Sequence, residues 1–224
     1  MKFFKWLGIA CLVVIVGVLA YGGYVYYKLT RTEVKDLGVR YTMADYTKAV
    51  KDKAGVHVPV PSDIYFGSNF KTVGTQAVDQ IFSDAEISAI QNYSNEKKGP
   101  FKNVQIHFVG DNTIEASGLV LDPRVPKTGP VYVKGSIVQT GPKSFDISNI
   151  QELRVGDYVV PQPIVQQAKT EFIGYVNGIL SGIDGLNIEK VEIQNGQVKF
   201  KGNVPKQVYS ADTEEIDLTS EDLK

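Results

Sequence analysis

The side chains here that could do chemistry are few: two histidines, His57 and His107, one cysteine, Cys11, and a scatter of carboxylates. The histidines lie far apart in the chain, and neither has a partner at metal-ligand spacing, so no metal site is expected. His107 falls on the polar side of an alternating segment and reads as a solvent-facing side chain. Nucleophilic catalysis needs a hydroxyl or thiol beside a base, and the chain has no G-x-S-x-G elbow. It has no G-x-G-x-x-G or Walker loop to cradle phosphates, and Gly182-Ile183-Asp184-Gly185 reads as a helix-ending turn. General acid/base work needs two carboxylates that converge, one with a raised pKa. Glu115, Asp146, Glu152, Asp157 and Glu171 are spread over separate segments and carry structural or solvated roles. The expectation is a non-enzymatic chain with no catalytic residue, no cofactor and no metal. Asn92-Tyr93-Ser94 matches a glycosylation acceptor, which matters only in a eukaryotic secretory pathway.

Composition narrows the classes further. With 224 residues, 43% of them hydrophobic, the chain can bury one sizeable core. A net charge of −1 supplies no field to draw in nucleic acid. Cys11 lies inside the apolar N-terminal run, so no intramolecular disulfide can form. The residues before it, Gly8-Ile9-Ala10, are only loosely lipobox-like, and cleavage there would leave most of the apolar run on the chain. Lipidation is not expected.

Residues 6–27 carry no formal charge and include Leu12-Val13-Val14-Ile15-Val16. A hydrocarbon core of ~30 Å needs about 20 such residues in a helix. Trp6 stands at one end and Tyr21, Tyr24, Tyr26 and Tyr27 at the other, as in an interfacial belt. Ala20-Tyr21-Gly22 is a poor cleavage site, so the run reads as an uncleaved signal anchor with stalk over residues 1–35. Lys2 and Lys5 are balanced by Lys28, Arg31 and Lys35, so charge does not settle orientation. The signal-like layout places the following domain outside the cytoplasm.

The domain is expected over residues 36–206. Two capped helices open it. Ser83 and Glu86 form a capping box flanked by the staple pair Phe82 and Ile87, giving a helix over 83–94. Thr42 and Asp45 offer a weaker version, giving a helix over 42–53. Between them, Pro59, Pro61, Gly67 and Gly74 mark an irregular loop with one short strand at most. From Phe101 the period becomes two: Val104, Ile106 and Phe108 share one face, Gln105 and His107 the other. Ile114, Ala116, Gly118 and Val120 continue the pattern after a turn at Gly110-Asp111-Asn112. A further turn, Asp122 to Pro130, leads to Val131, Val133 and Ile137, and residues 144–160 give one or two more strands. The short connections predict an antiparallel meander. Pro161-Gln162-Pro163 opens the longest helix, whose apolar stripe reads Val165, Ala168, Phe172, Val176 and Ile179. Asn195-Gly196 then marks a hairpin, and Pro205 closes the domain. The acidic residues 207–224 are expected to be a disordered tail. The fold class is α+β: a curved antiparallel meander packed on one long helix, with short N-terminal helices, behind a single transmembrane helix.

Taken together, the anchor, the capped segment Phe82-Ser83-Asp84-Ala85-Glu86-Ile87-Ser88-Ala89-Ile90, Glu115-Ala116-Ser117-Gly118, Val155-Gly156-Asp157-Tyr158-Val159-Val160-Pro161 and the hairpin from Val191 to Gly202 resemble uncharacterised anchored bacterial proteins of the YpmS-like type. More distantly they are similar to the tubular lipid-binding (TULIP) superfamily. The resemblance covers roughly residues 80–205. It implies a curved sheet wrapped on a long helix and an apolar groove, with no polar functional residue to carry over. Two functions follow. One is a lipid or lipid-carrier module whose groove is lined by Ile106, Phe108, Phe172 and Val176. The other is a structural or regulatory module of the cell envelope that binds a protein partner and no small ligand.

Overall fold

Helix starts follow the polar caps. The computed structural model describes residues 2–30, 33–65, 67–121 and 130–211, with side chains from Val16 onward. Helix α1 (Lys2–Leu29) is followed by an extended stalk and α2 (Met43–Thr47), which runs directly into a π-helical segment, Lys48–Lys53. Helix α3 (Asp84–Ser94) begins at Ser83, whose hydroxyl accepts from the Glu86 amide at 3.3 Å while the Glu86 carboxylate accepts from the Ser83 amide at 2.8 Å. Thr42 and Asp45 make the same reciprocal pair. Among the described residues no helix is long and apolar enough to cross a membrane. The anchor expected over residues 6–27 has its first ten side chains, residues 6–15, outside the description.

Three antiparallel sheets make up the β structure. The largest is the expected meander, β3 (Phe101–Gly110), β4 (Thr113–Val120), β5 (Val131–Gly141), β6 (Ser144–Val155) and β7 (Tyr158–Val159), paired in that order. Its register aligns Ile106, Ala116, Val133 and Leu153 in one row and His107, Glu115, Lys134 and Glu152 in the next. Apolar and polar residues therefore separate onto opposite faces. The turn expected from Asp122 to Pro130 lies, for residues 122–129, outside the described residues.

The hairpin at Asn195-Gly196, β8 (Asn187–Gln194) and β9 (Gln197–Val204), belongs to a second sheet that packs on the meander, with the Gly196 amide donating to the Phe108 carbonyl at 2.7 Å. Its β9 pairs with β2 (Gln76–Ser83), a strand absent from the sequence-based plan. A third, two-stranded sheet joins β1 (Phe70–Val73) to β10 (Gln207–Ser210). The boundary expected at residue 206 falls just before β10, and the folded chain runs at least to Ser210. Pairing of Phe70 with Ser210 and of Val73 with Gln207 supplies the backbone partners that a free tail would lack. The expected tail from residue 212 lies outside the described residues.

An open sheet must satisfy two edges, and here helix side chains do so. On β3, Asp84 Oδ1 accepts from the Phe108 amide at 2.8 Å and Ser88 Oγ from the Ile106 amide at 2.9 Å. Asn92 Oδ1 accepts from the Val104 amide at 2.9 Å, and its Nδ2 donates to the Val104 carbonyl at 2.7 Å. Four helical residues advance ~6 Å and two strand residues ~6.6 Å, so a row at every fourth position keeps step with alternate strand residues. The other edge is treated alike. From α4 (Gln162–Ser181), Asn177 brackets Phe145 of β6, accepting from its amide and donating to its carbonyl, both at 2.9 Å. Lys169 of the same helix pairs with Asp146 at 3.1 Å.

This arrangement corrects the expected stripe of α4. Val165 is buried and Val176 and Ile179 are half-buried, but Ala168 is exposed and Phe172 keeps half its surface in water. A helix laid along a strand edge must turn polar groups toward it, so Lys169 and Asn177 share the packed face with Val165 and Val176, and the Ala168 and Phe172 side of the stripe turns outward.

Replacing Asn92 by Leu should strip Val104 of both edge partners. Each buried unsatisfied backbone group costs about 1–3 kcal/mol, so the urea midpoint should fall clearly. Glu96→Ala on the exposed end of the same segment serves as the control. Equal midpoints for both variants would show that α3 does not cap this edge.

Candidate functional site

Helix α3 presents two faces. The row Asp84, Ser88, Asn92 meets β3, and Ile87, Ile90 and Ser94, roughly 120° round the helix at 3.6 residues per turn, face the other way. They look into a hollow of about 350 Å³. Opposite stand Tyr46, Ala49 and Val50 from α2 and its π-helical continuation. Ala54 donates to the Ala49 carbonyl at 3.0 Å, an i to i+5 bond; such wide turns are frequent at functional sites. Val78, Phe82, Val198 and Phe200 of β2 and β9 form the floor, and Val56, Val58 and Val208 cross one end.

The lining is apolar apart from the Tyr46 and Ser94 hydroxyls and backbone. Tyr46, Ala49, Val78 and Phe82 are buried, but Ile87, Ile90, Val198 and Phe200 are only half-buried despite their central position. They border open space. Protein interiors rarely hold voids much larger than a water molecule. The volume sits at the lower end of the ~300–1,000 Å³ typical of ligand pockets.

One charge cluster fastens the walls together. Glu86 on α3 is 1% exposed, and its carboxylate meets Lys53 of the π-helical segment at 2.6 Å and Lys48 at 3.3 Å. Lys53 also donates to the Ile81 carbonyl of β2 at 2.5 Å. Burial alone would raise the Glu86 pKa, but the Lys53 ammonium, the Ser83 amide and Lys48 outweigh it and hold the carboxyl below its ordinary value. On the other side Tyr93 of α3 packs edge-on against Tyr46 at 5.9 Å and against Tyr41 at 6.4 Å. Burial pushes the Tyr46 phenol up to about 12, so it stays neutral.

None of the four residues expected to line a groove borders this hollow. Ile106 and Phe108 lie on β3, Phe108 is buried, and both give their amides to α3. Phe172 is exposed and Val176 half-buried on α4. Of the residues that do line it, Val78 and Phe82 share one side of β2 with Gln76 and Gln80, so no apolar period marks them in the sequence. His107 is not a free solvent-facing side chain. Its Nδ1 lies 2.6 Å from Asp84 Oδ2, because the Asp84 that caps Phe108 also reaches the neighbouring ring. Among the described residues no three His, Cys, Asp or Glu side chains gather to hold a metal ion. No protein-family model, curated protein or solved structure matches the chain.

The lowered Glu86 pKa gives a signed pH dependence. A carboxyl with a depressed folded pKa contributes stability above its ordinary value of 4.5 and loses it as pH falls through the folded value. Melting temperature should therefore drop on acidification below that point, and Glu86→Gln should flatten this part of the profile while lowering stability at neutral pH. Parallel wild-type and variant profiles would remove Glu86 from the clamp.

Proposed function

We propose that this chain is a membrane-anchored, non-enzymatic module that holds a single acyl chain of a lipid or lipid-linked envelope component, with its domain outside the cytoplasm. The observation that carries the reading is the apolar hollow between α2, α3 and the β2–β9–β8 sheet. Its chemistry suits a hydrocarbon: two hydroxyls and no charged side chain line it. Its volume of about 350 Å³ lies within the range of small-ligand pockets. The uncharged run over residues 6–27, carried on the continuous backbone helix Lys2–Leu29, supports α1 as the anchor. The sequence-based resemblance of residues 80–205 to the tubular lipid-binding superfamily implies an apolar groove as well, although the hollow proposed as the site lies at the N-terminal helices and not on the long helix. Protein-partner binding is favoured by one observation, the half-exposed Phe172 on the outer face of α4.

Filling the hollow tests the proposal. Val50→Phe and Val198→Phe should each weaken binding of a fluorescent fatty acid by tenfold or more, which corresponds to about 1.4 kcal/mol, without lowering the melting temperature. Phe172→Glu should leave both unchanged, because surface substitutions usually stay within about 0.5 kcal/mol. A wild-type chain that binds no acyl probe, or filled variants that bind it as well, would refute the site.

A further inference from the structure

We infer that the α1 end of the five-stranded sheet is seated in the headgroup layer of an anionic bilayer and is not held above it; this rests on α1 being the anchor. The uncharged run stops at Tyr27, and the Lys28 carbonyl immediately after it accepts from the Asp157 amide at 2.9 Å. Gly156 adopts φ +58, and a Cβ there would collide with that same carbonyl, so the β6–β7 turn lies directly against the end of α1. Strand β7 packs on α1, and its Tyr158 stands beside Tyr21, nearly two helical turns, or ~9 Å at 1.5 Å per residue, before the polar end. No spacer separates the bilayer boundary from the domain. Headgroup regions are roughly 5–8 Å deep on each side, so residues level with Tyr21 to Lys28 must enter them.

The surface at that level fits such a place. Leu121 donates its amide to Pro100, and Gly156 donates to Pro130, which sets the ends of β3 to β6 at one rim. Leu121 is 57% exposed, Val159 56% and Ile164 55%. Exposed apolar residues at three neighbouring chain ends make an interfacial contact, as they would on a monotopic protein. Helix α3 points its C-terminal end the same way, since Lys102 at the start of β3 donates to the carbonyls of Asn95 and Glu96 at 2.5 and 2.6 Å. The exposed Lys97 and Lys98 follow there, and basic side chains at a membrane surface attract anionic lipid. Ser94, one of the few polar lining residues of the hollow, belongs to this same helix end.

The test uses the full chain with Cys11→Ser and one new cysteine at Leu121, Val159 or Ile164, labelled with a bimane and reconstituted into phosphatidylcholine–phosphatidylglycerol vesicles. Lipids carrying a shallow nitroxide report proximity, and a label replacing Asn195, at the β8–β9 turn, marks the control position. Flotation of the vesicles in the same samples reports anchoring. Vesicle-bound protein quenched several-fold at the three rim positions and not at Asn195 is the expected result. Vesicle-bound protein with equal quenching at all positions, or with none, overturns the seated rim and leaves the anchor intact. Protein that fails to float overturns the anchor, and the rim with it.

Discussion

The row of hydrogen bonds from Asp84, Ser88 and Asn92 to the edge of β3 is the constraint on which the rest depends. Those three side chains bind one strand edge to one helix face. Once the polar face is committed there, Ile87 and Ile90 must look elsewhere, and they pack on the β2–β9 floor and the π-helical segment around Ala49, Val78 and Phe82. Packing of α3 on the meander and placement of the hollow are thus one decision. Lys102 completes it by taking the carbonyls at the end of α3, where a cation is also favoured by the helix dipole.

The hollow persists because its walls are held by contacts that do not fill it. Glu86, Lys53 and Lys48 pin the π-helical segment to α3 on one side, and Tyr93 pins α2 on the other. A buried ion pair adds little net stability against an apolar substitute, because desolvating two charges offsets most of the attraction. Its value here is geometric: it fixes separation without placing atoms between the walls. An apolar staple in its place would be free to collapse inward.

Much of the local structure was legible in the sequence, and the reasons are local. Capping at Ser83 and Thr42, alternation through Val104, Ile106 and Phe108, the Asn195-Gly196 turn and the proline start of α4 all depend on neighbouring residues only. What stayed hidden depends on distant ones. The exposed Phe172 follows from Asn177 and Lys169 serving the edge of β6, a demand that helical periodicity does not encode. Strand β2 sets Gln76, Val78, Gln80 and Phe82 on one side and Ala77, Asp79 and Ile81 on the other, two mixed rows with no apolar period to announce a strand. The partner of β10 is β1, separated from it by nearly the whole domain, so Gln207 to Ser210 read as the start of a tail. The hollow itself is assembled from seven elements and a connecting loop, and no single segment announces it.

Photo-crosslinking in living cells tests the central claim most directly. A benzophenone amino acid replacing Ile90 reports on the hollow, and one replacing Phe172 reports on the outer face of α4. The account predicts that the Ile90 probe is captured by a lipid acyl chain, read as a defined mass increase on the intact chain, and that the Phe172 probe gives no lipid adduct. Protein adducts at Phe172 with no lipid at Ile90 would contradict it and assign the domain to partner binding.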